Sequence, residues 1–287
     1  MPNFRIFGLI VAGVAAVIIA SVYKWPGEEG KGMAEIKFDL GKNIIETAKV
    51  SGVPKFTADD VNGRVSYSIN ALPAQIPAHF TRAGYDILWQ PLFAFTMYAD
   101  RGRDPSMSVD KVDLQLDIND MTDEAAQTFA EQTIAQFQKG KWKRYAEPDW
   151  SVLLTGRSSY LNEAGVIDSD ATRAPDPAYK LPKDDWLKVA RSLHLRWVGD
   201  GAVAELTVNN SPGVDGKPAY RMSLEFELLD VKLKRNAENL ARDLTAGDAR
   251  GWNSTAKNEA SKKRRQELNK LLIANALKRG DSVLPFP

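Results

Sequence analysis

Cysteine is absent from this 287-residue chain, and only two histidines occur, His79 and His194. Without cysteine there is no disulfide, no thiol nucleophile and no cysteine-ligated zinc. A histidine-rich metal site is excluded too, and a serine–histidine triad would have to use one of these two imidazoles. We therefore expect a fold stabilised by apolar burial and predict no metal and no cofactor.

Complete catalytic motifs are also missing. Residues 156–160 (GRSSY) lack the second glycine that a G-x-S-x-G nucleophile elbow needs for its sharp turn. Residues 254–257 (STAK) match S-x-x-K, but the chain has no K-T-G or S-D-N partner motif. The sequence thus favours a binding protein over an enzyme.

One long hydrophobic run is present, at residues 6–23 (IFGLIVAGVAAVIIASVY), and it carries no charge. Extended to Trp25, it matches the roughly 30 Å hydrocarbon core of a bilayer, so we predict a transmembrane helix at residues 6–25. A cleavable signal peptide is the alternative, but its apolar core is usually shorter, about 7 to 15 residues, and it ends in small residues. Here Ile18 stands where a small residue is wanted.

The flanks of this run predict its orientation. Residues 1–5 contain Arg5, so we place them in the cytoplasm, and residues 26–35 (PGEEGKGMAE) are polar and glycine-containing, as a flexible tether is. The remainder is then predicted to lie in the periplasm of a bacterium, anchored to the inner membrane by a single pass.

Small residues repeat every four positions along the predicted span: Gly8, Ala12, Ala16 and Ala20. Such a row lets two helices approach closely, which predicts a homodimer through the membrane. The alternative is that alanine and glycine are simply common in single spans.

Residues 36–287 predict an α+β region of antiparallel strands and amphipathic helices. Two similar halves, each with strands followed by an amphipathic helix, suggest an internal duplication, although the spacing differs between the halves. The first half is residues 36–161, a linker or long loop covers residues 162–182, and the second half is residues 183–287. Apolar and polar residues alternate at 112–118 and 220–228, which predicts half-buried strands. A helix is predicted to begin at Thr57 and another at Thr122, with Gly140 as the stop of the second, and two helices end the chain.

Charge is unevenly distributed along this chain, whose net charge is only +1. Residues 99–135 hold nine acidic and three basic residues, whereas residues 231–280 hold five acidic and thirteen basic. Lys262, Lys263, Arg264 and Arg265 are consecutive in the last predicted helix. We expect them to bind a protein partner or anionic lipid; alternatively they radiate around the helix and are only solvated. Nucleic acid is not an expected partner, because the predicted compartment lacks it.

Carboxylate pairs leave a catalytic alternative open. Asp113 and Asp117 are four residues apart, and Glu225 and Glu227 two residues apart, on predicted strands, so each pair shares a face, at about 7 Å for every two residues. That spacing suits acid–base hydrolysis of a glycosidic bond, and solvated strand faces have the same pattern.

The layout as a whole resembles bacterial envelope accessory proteins, including immunity or adaptor proteins of toxin-secretion systems. The resemblance implies a membrane-anchored protein that docks a protein partner. An envelope hydrolase that uses Asp and Glu is the alternative function.

Overall fold

A computed structural model describes residues 35–53, 55–72, 76–116, 121–147, 152–167, 174–212 and 218–285, which belong to one compact unit. It has the predicted α+β class, with mainly antiparallel sheets. The predicted span, and with it Gly8, Ala12, Ala16 and Ala20, lies outside the described residues. Among the helices that the structure does describe, none combines the length and the apolar character needed to cross a bilayer.

Strands and helices are interspersed along the chain. The strands are β1 (Ile36–Phe38), β2 (Thr57–Val61), β3 (Arg64–Ile69), β4 (Ala78–Phe80), β5 (Ile87–Trp89), β6 (Ala94–Asp100), β7 (Lys111–Leu116), β8 (Lys143–Arg144), β9 (Leu153–Leu154), β10 (Leu193–Gly199), β11 (Ala202–Pro212), β12 (Pro218–Leu228) and β13 (Val283–Leu284). The helices are α1 (Ile44–Val50), α2 (Asp123–Lys139), α3 (Lys183–Val189), α4 (Leu229–Ala249) and α5 (Ser254–Lys278), with a 3-10 helix at Gly156–Tyr160.

An eight-stranded antiparallel sheet forms the centre, in the order β2-β3-β6-β7-β12-β11-β10-β8. It combines strands from the two predicted halves, since β12 pairs with β7 and β10 pairs with β8. A second sheet, β1-β4-β5, contains one parallel pair, and β13 pairs with β9. One continuous sheet therefore contains strands from residues 36–161 and from residues 183–287.

The core lies on the apolar face of the central sheet. Phe226 of β12 and Phe95 of β6 meet Phe38 of the small sheet at ring-centroid distances of 5.6 and 5.4 Å. Phe137 of α2 stacks on Trp197 of β10 at 3.9 Å. The small sheet and α2 thus cover one face of the central sheet, which leaves the opposite face to polar side chains.

Local signals specified several elements. The Thr122 side chain accepts a hydrogen bond from the Ala125 backbone N–H, and α2 ends at Gly140, as predicted. Apolar and polar positions alternate in β7 and β12, again as predicted.

The helix predicted at Thr57 is wrong, because residues 57–61 form strand β2, paired with β3. Asn62 and Gly63 between these strands have φ values of 54° and 86°. Asn-Gly with two positive φ values favours a tight two-residue hairpin turn. Tertiary pairing and turn chemistry therefore outweighed the helix-start pattern of a threonine followed by two aspartates.

Candidate functional site: the polar face of the central sheet

Strand alternation gathers charged side chains on one face of the central sheet, which we call the polar face. In the pairing register, Asp113 of β7 lies opposite Glu225 of β12, and Glu225 lies opposite Glu205 of β11. Arg196 of β10 continues this row beside Glu205. Side chains directly opposite on neighbouring strands have Cβ atoms about 5 Å apart. Three carboxylates therefore stand side by side across three strands.

The Asp113 end of this row is short of positive charge. Burial raises the pKa of the Asp113 carboxyl, Lys111 opposes that rise, and the Glu225 carboxylate adds to it. The Lys111 ammonium lies 2.6 Å from Glu225 Oε2. A cation brought to Asp113 would therefore favour its ionised form and offset its repulsion from Glu225.

The Glu205 end is strongly stabilised as an anion. His194 Nδ1 lies 2.7 Å from Glu205 Oε1, and Arg196 Nε lies 2.9 Å from Oε2. Lys232 Nζ of α4 is 3.9 Å from the same carboxylate. Burial raises the pKa of Glu205, but these hydrogen bonds and charges outweigh burial and lower the pKa to about 2.

Helix α4 covers one end of the polar face. Glu227, which the alternation predicts to face solvent, is only 1% exposed, because Arg235 of α4 lies over it. Both Glu227 carboxylate oxygens accept from the Arg235 guanidinium, one of them at 3.0 Å from Nη2. Burial raises the pKa of Glu227, and Arg235 opposes that rise. Glu227 therefore forms a buried structural ion pair with Arg235, whereas the Glu225 side chain stays partly accessible.

Aromatic and cationic groups adjoin the row on its other side. The Arg64 guanidinium lies 5.2 Å, and the Lys111 ammonium 5.9 Å, from the ring centroid of Tyr98. Both distances are within the range of a cation–π interaction. The polar face is consequently a broad mixed surface of paired charges and a tyrosine.

Metal binding is not indicated by this geometry. Within the ranges that the structure describes, no three His, Asp or Glu side chains are arranged to hold a metal ion. His79 also has carboxylate neighbours, with Nδ1 2.6 Å from Glu35 Oε1. Both histidines are thus engaged by carboxylates and not by a metal-binding cluster.

The four consecutive basic residues of α5 are placed around the helix. Lys262 and Arg265 are half-buried, whereas Lys263 and Arg264 are exposed. Lys262 Nζ also lies 3.2 Å from Glu259 Oε1. Successive helical residues point about 100° apart, so these side chains face different directions.

Sequence reasoning found part of the polar face. It identified Asp113, Glu225 and Glu227 as candidates but paired them along strands, while Asp117 lies outside the described residues. It did not find Glu205 or the opposition of Asp113 and Glu225. Alternation indicates which side chains share a face of one strand, but only the pairing register decides which ones meet across strands.

The chain is therefore an α+β protein whose central sheet has one face covered by the small sheet and α2 and one polar face. Comparisons with protein-family models, with curated proteins and with solved structures find no match.

Proposed function

We propose that this chain is a membrane-anchored periplasmic binding protein that holds a protein partner at the bacterial inner membrane. The observation that carries the proposal is the polar face, where Asp113, Glu225 and Glu205 form one row of carboxylates. A broad half-buried charged surface suits docking of another protein, whereas small-molecule sites are mostly concave and apolar.

Charge complementarity defines the expected partner. Asp113 and Glu225 repel each other at the end of the row where Lys111 is the nearby cation. The partner is therefore a protein that presents lysine or arginine side chains to these two carboxylates. Such a role fits an immunity or adaptor protein of a toxin-secretion system, whose anchor keeps it where a toxin arrives.

Partner capture from the native envelope tests the docking surface. The chain with Asp113→Asn and Glu225→Gln keeps the shape of both side chains but loses their charges. We expect it to bind the partner about tenfold more weakly than the natural chain, which corresponds to about 1.4 kcal/mol. Asp59→Asn on the exposed edge strand β2 is the matched control and should bind normally. Equal capture by the double variant and the natural chain would exclude the polar face as the docking surface.

Topology is tested separately with reporters fused to the C-terminus. We expect activity from a fused reporter enzyme that works only in the periplasm. Activity from a reporter that works only in the cytosol would overturn the proposed localisation while leaving the docking surface to be judged by capture.

The alternative function is an envelope hydrolase, and one observation favours it. Asp113 and Glu225 lie opposite each other, and retaining glycosidases hold their two carboxyl groups about 5 Å apart. Asp113, with its raised pKa, would be the general acid and Glu225 the nucleophile. Turnover of purified envelope glycan that is lost in the Glu225→Gln variant would support this function; no turnover by the natural chain would exclude it.

A further inference from the structure

Helices α4 and α5 form an exposed arm at residues 240–265. The start of α4 packs against the central sheet through Lys232 and Arg235. The end of α5 packs on the body, where Leu272 and Ala276 share a buried cluster with Leu154 of β9. Between these attachments the arm is exposed, apart from a buried glycine and a few half-buried side chains.

A tight turn at the tip of the arm presents a tryptophan to solvent. Trp252 is 55% exposed, although its backbone N–H donates to the Gly247 carbonyl at 3.0 Å. The Asp248 carboxylate accepts from the Thr255 backbone N–H at 3.1 Å and so fixes the start of α5. A Cβ atom at Gly247 would lie 2.0 Å from Ser254 Oγ, so the helices approach closely here. The turn is thus specified by several contacts, and none of these bonds uses the Trp252 indole.

The arm carries positive charge around this tryptophan. Residues 240–265 contain seven lysines and arginines against three acidic residues, in a chain whose net charge is only +1. The Arg250 guanidinium lies 5.0 Å from the ring centroid of Trp252. Lys263 and Arg264 are exposed farther along α5. Tryptophan and arginine together favour the interface between lipid headgroups and hydrocarbon.

We propose that the tip of this arm docks on an anionic lipid surface, with Trp252 at the headgroup level. The surface potential of such a bilayer acts on basic residues within about 10 Å, whichever way they point. Arg250 and Lys257 lie within that range of the tip, whereas Lys262–Arg265, about 12 to 17 Å along α5 from its start, radiate around the helix and would not all meet one flat protein surface.

The lengths in the chain agree with this docking. Helix α5 has 25 residues, which at about 1.5 Å each gives about 37 Å. The ten-residue tether predicted at residues 26–35 spans at most about 35 Å when extended. The inference rests on the membrane anchor of the proposed function, since the anchor keeps the arm within reach of a bilayer. A second attachment also raises the effective concentration of the tip at the membrane.

A single-cysteine label tests the inference, because the natural chain has no cysteine. The full chain with Ala249→Cys, labelled with a fluorophore, is reconstituted in phosphatidylethanolamine–phosphatidylglycerol vesicles that contain a headgroup nitroxide quencher. Position 249 is exposed next to the tip, and Ala58→Cys in the exposed strand β2 is the control label. We expect quenching several times stronger at position 249 than at position 58.

Three changes should weaken the quenching at position 249. High salt and replacement of the anionic lipid by phosphatidylcholine both remove the electrostatic attraction. Trp252→Ser, and separately Lys263→Glu with Arg264→Glu, remove the aromatic and the basic contributions. Equal quenching at positions 249 and 58 would overturn the inference. Quenching at position 249 that is unchanged by salt, by lipid replacement and by these substitutions would overturn it too.

Other outcomes separate this inference from the proposed function. If the chain does not enter vesicles, the anchor is wrong, and the same vesicles added to the soluble labelled chain still test the arm. If position 249 is not quenched and Trp252→Ser instead abolishes partner capture, the arm binds a protein and the lipid inference is wrong. If only the Asp113→Asn and Glu225→Gln double variant loses partner capture, that result supports the polar face as the docking surface and does not bear on lipid binding by the arm.

Discussion

Replacing Glu205 by glutamine should destabilise the fold and change its response to acid. The Glu205 carboxylate is 16% exposed and accepts from His194 and Arg196, with Lys232 nearby. These groups lower its pKa from the ordinary value of 4.5 to about 2. At about 1.4 kcal/mol for each pKa unit, the ionised carboxylate contributes about 3 kcal/mol to the free energy of unfolding.

The direction of the pH dependence follows from the lowered pKa. In acid the unfolded chain takes up a proton at Glu205 before the folded chain does. The stabilisation is therefore fully present above pH 4.5 and is lost as the pH falls through about 2. The Glu205→Gln variant lacks this titration, so its stability should change less steeply with pH across that window.

Urea unfolding of both chains, measured at a series of pH values between 2 and 7, checks this expectation. At pH 7 the variant should unfold with about 3 kcal/mol less free energy, and the difference should shrink toward pH 2. Glu259→Gln on α5, whose side chain is 59% exposed, is the control and should differ by less than about 0.5 kcal/mol. A difference that is below about 1 kcal/mol at pH 7, or that does not shrink in acid, would refute the reasoning.

Two further predictions concern packing. Gly199→Ala should lower the free energy of unfolding by about 1 to 3 kcal/mol in urea titrations, because the new Cβ would lie 2.2 Å from Cε1 of Tyr85; an unchanged midpoint would contradict this clash. Phe226→Ala should cost about 3 to 5 kcal/mol, because Phe226 is fully buried and stacks on Phe80 at 4.5 Å. Phe93→Ala, at a ring that is 39% exposed, is its control and should have a much smaller effect in the same assay.

Local elements could be predicted where short-range chemistry specifies them. Thr122 and Gly140 bound α2 because a side-chain cap and a glycine act on their own backbone neighbours. The Asn62–Gly63 turn has an equally local signal, the Asn-Gly pair, but the threonine and aspartates before it favour a helix start, and the two signals conflict. The candidate site was predicted only in part, since its candidates included Asp113 and Glu225 but not their opposition.

The sequence by itself determined the α+β class, the missing thiol chemistry and the alternation that separates apolar from polar faces, because each depends on composition or on neighbours within a few residues. Only the tertiary structure decided that β7, β12 and β11 lie side by side, which brings Asp113, Glu225 and Glu205 into one row. It also decided that α4 covers Glu227, although the strand pattern alone assigns that residue to solvent. The first outcome depends on a register that joins residues more than a hundred positions apart, such as Asp113 and Glu225, and the second on how α4 packs back over β12.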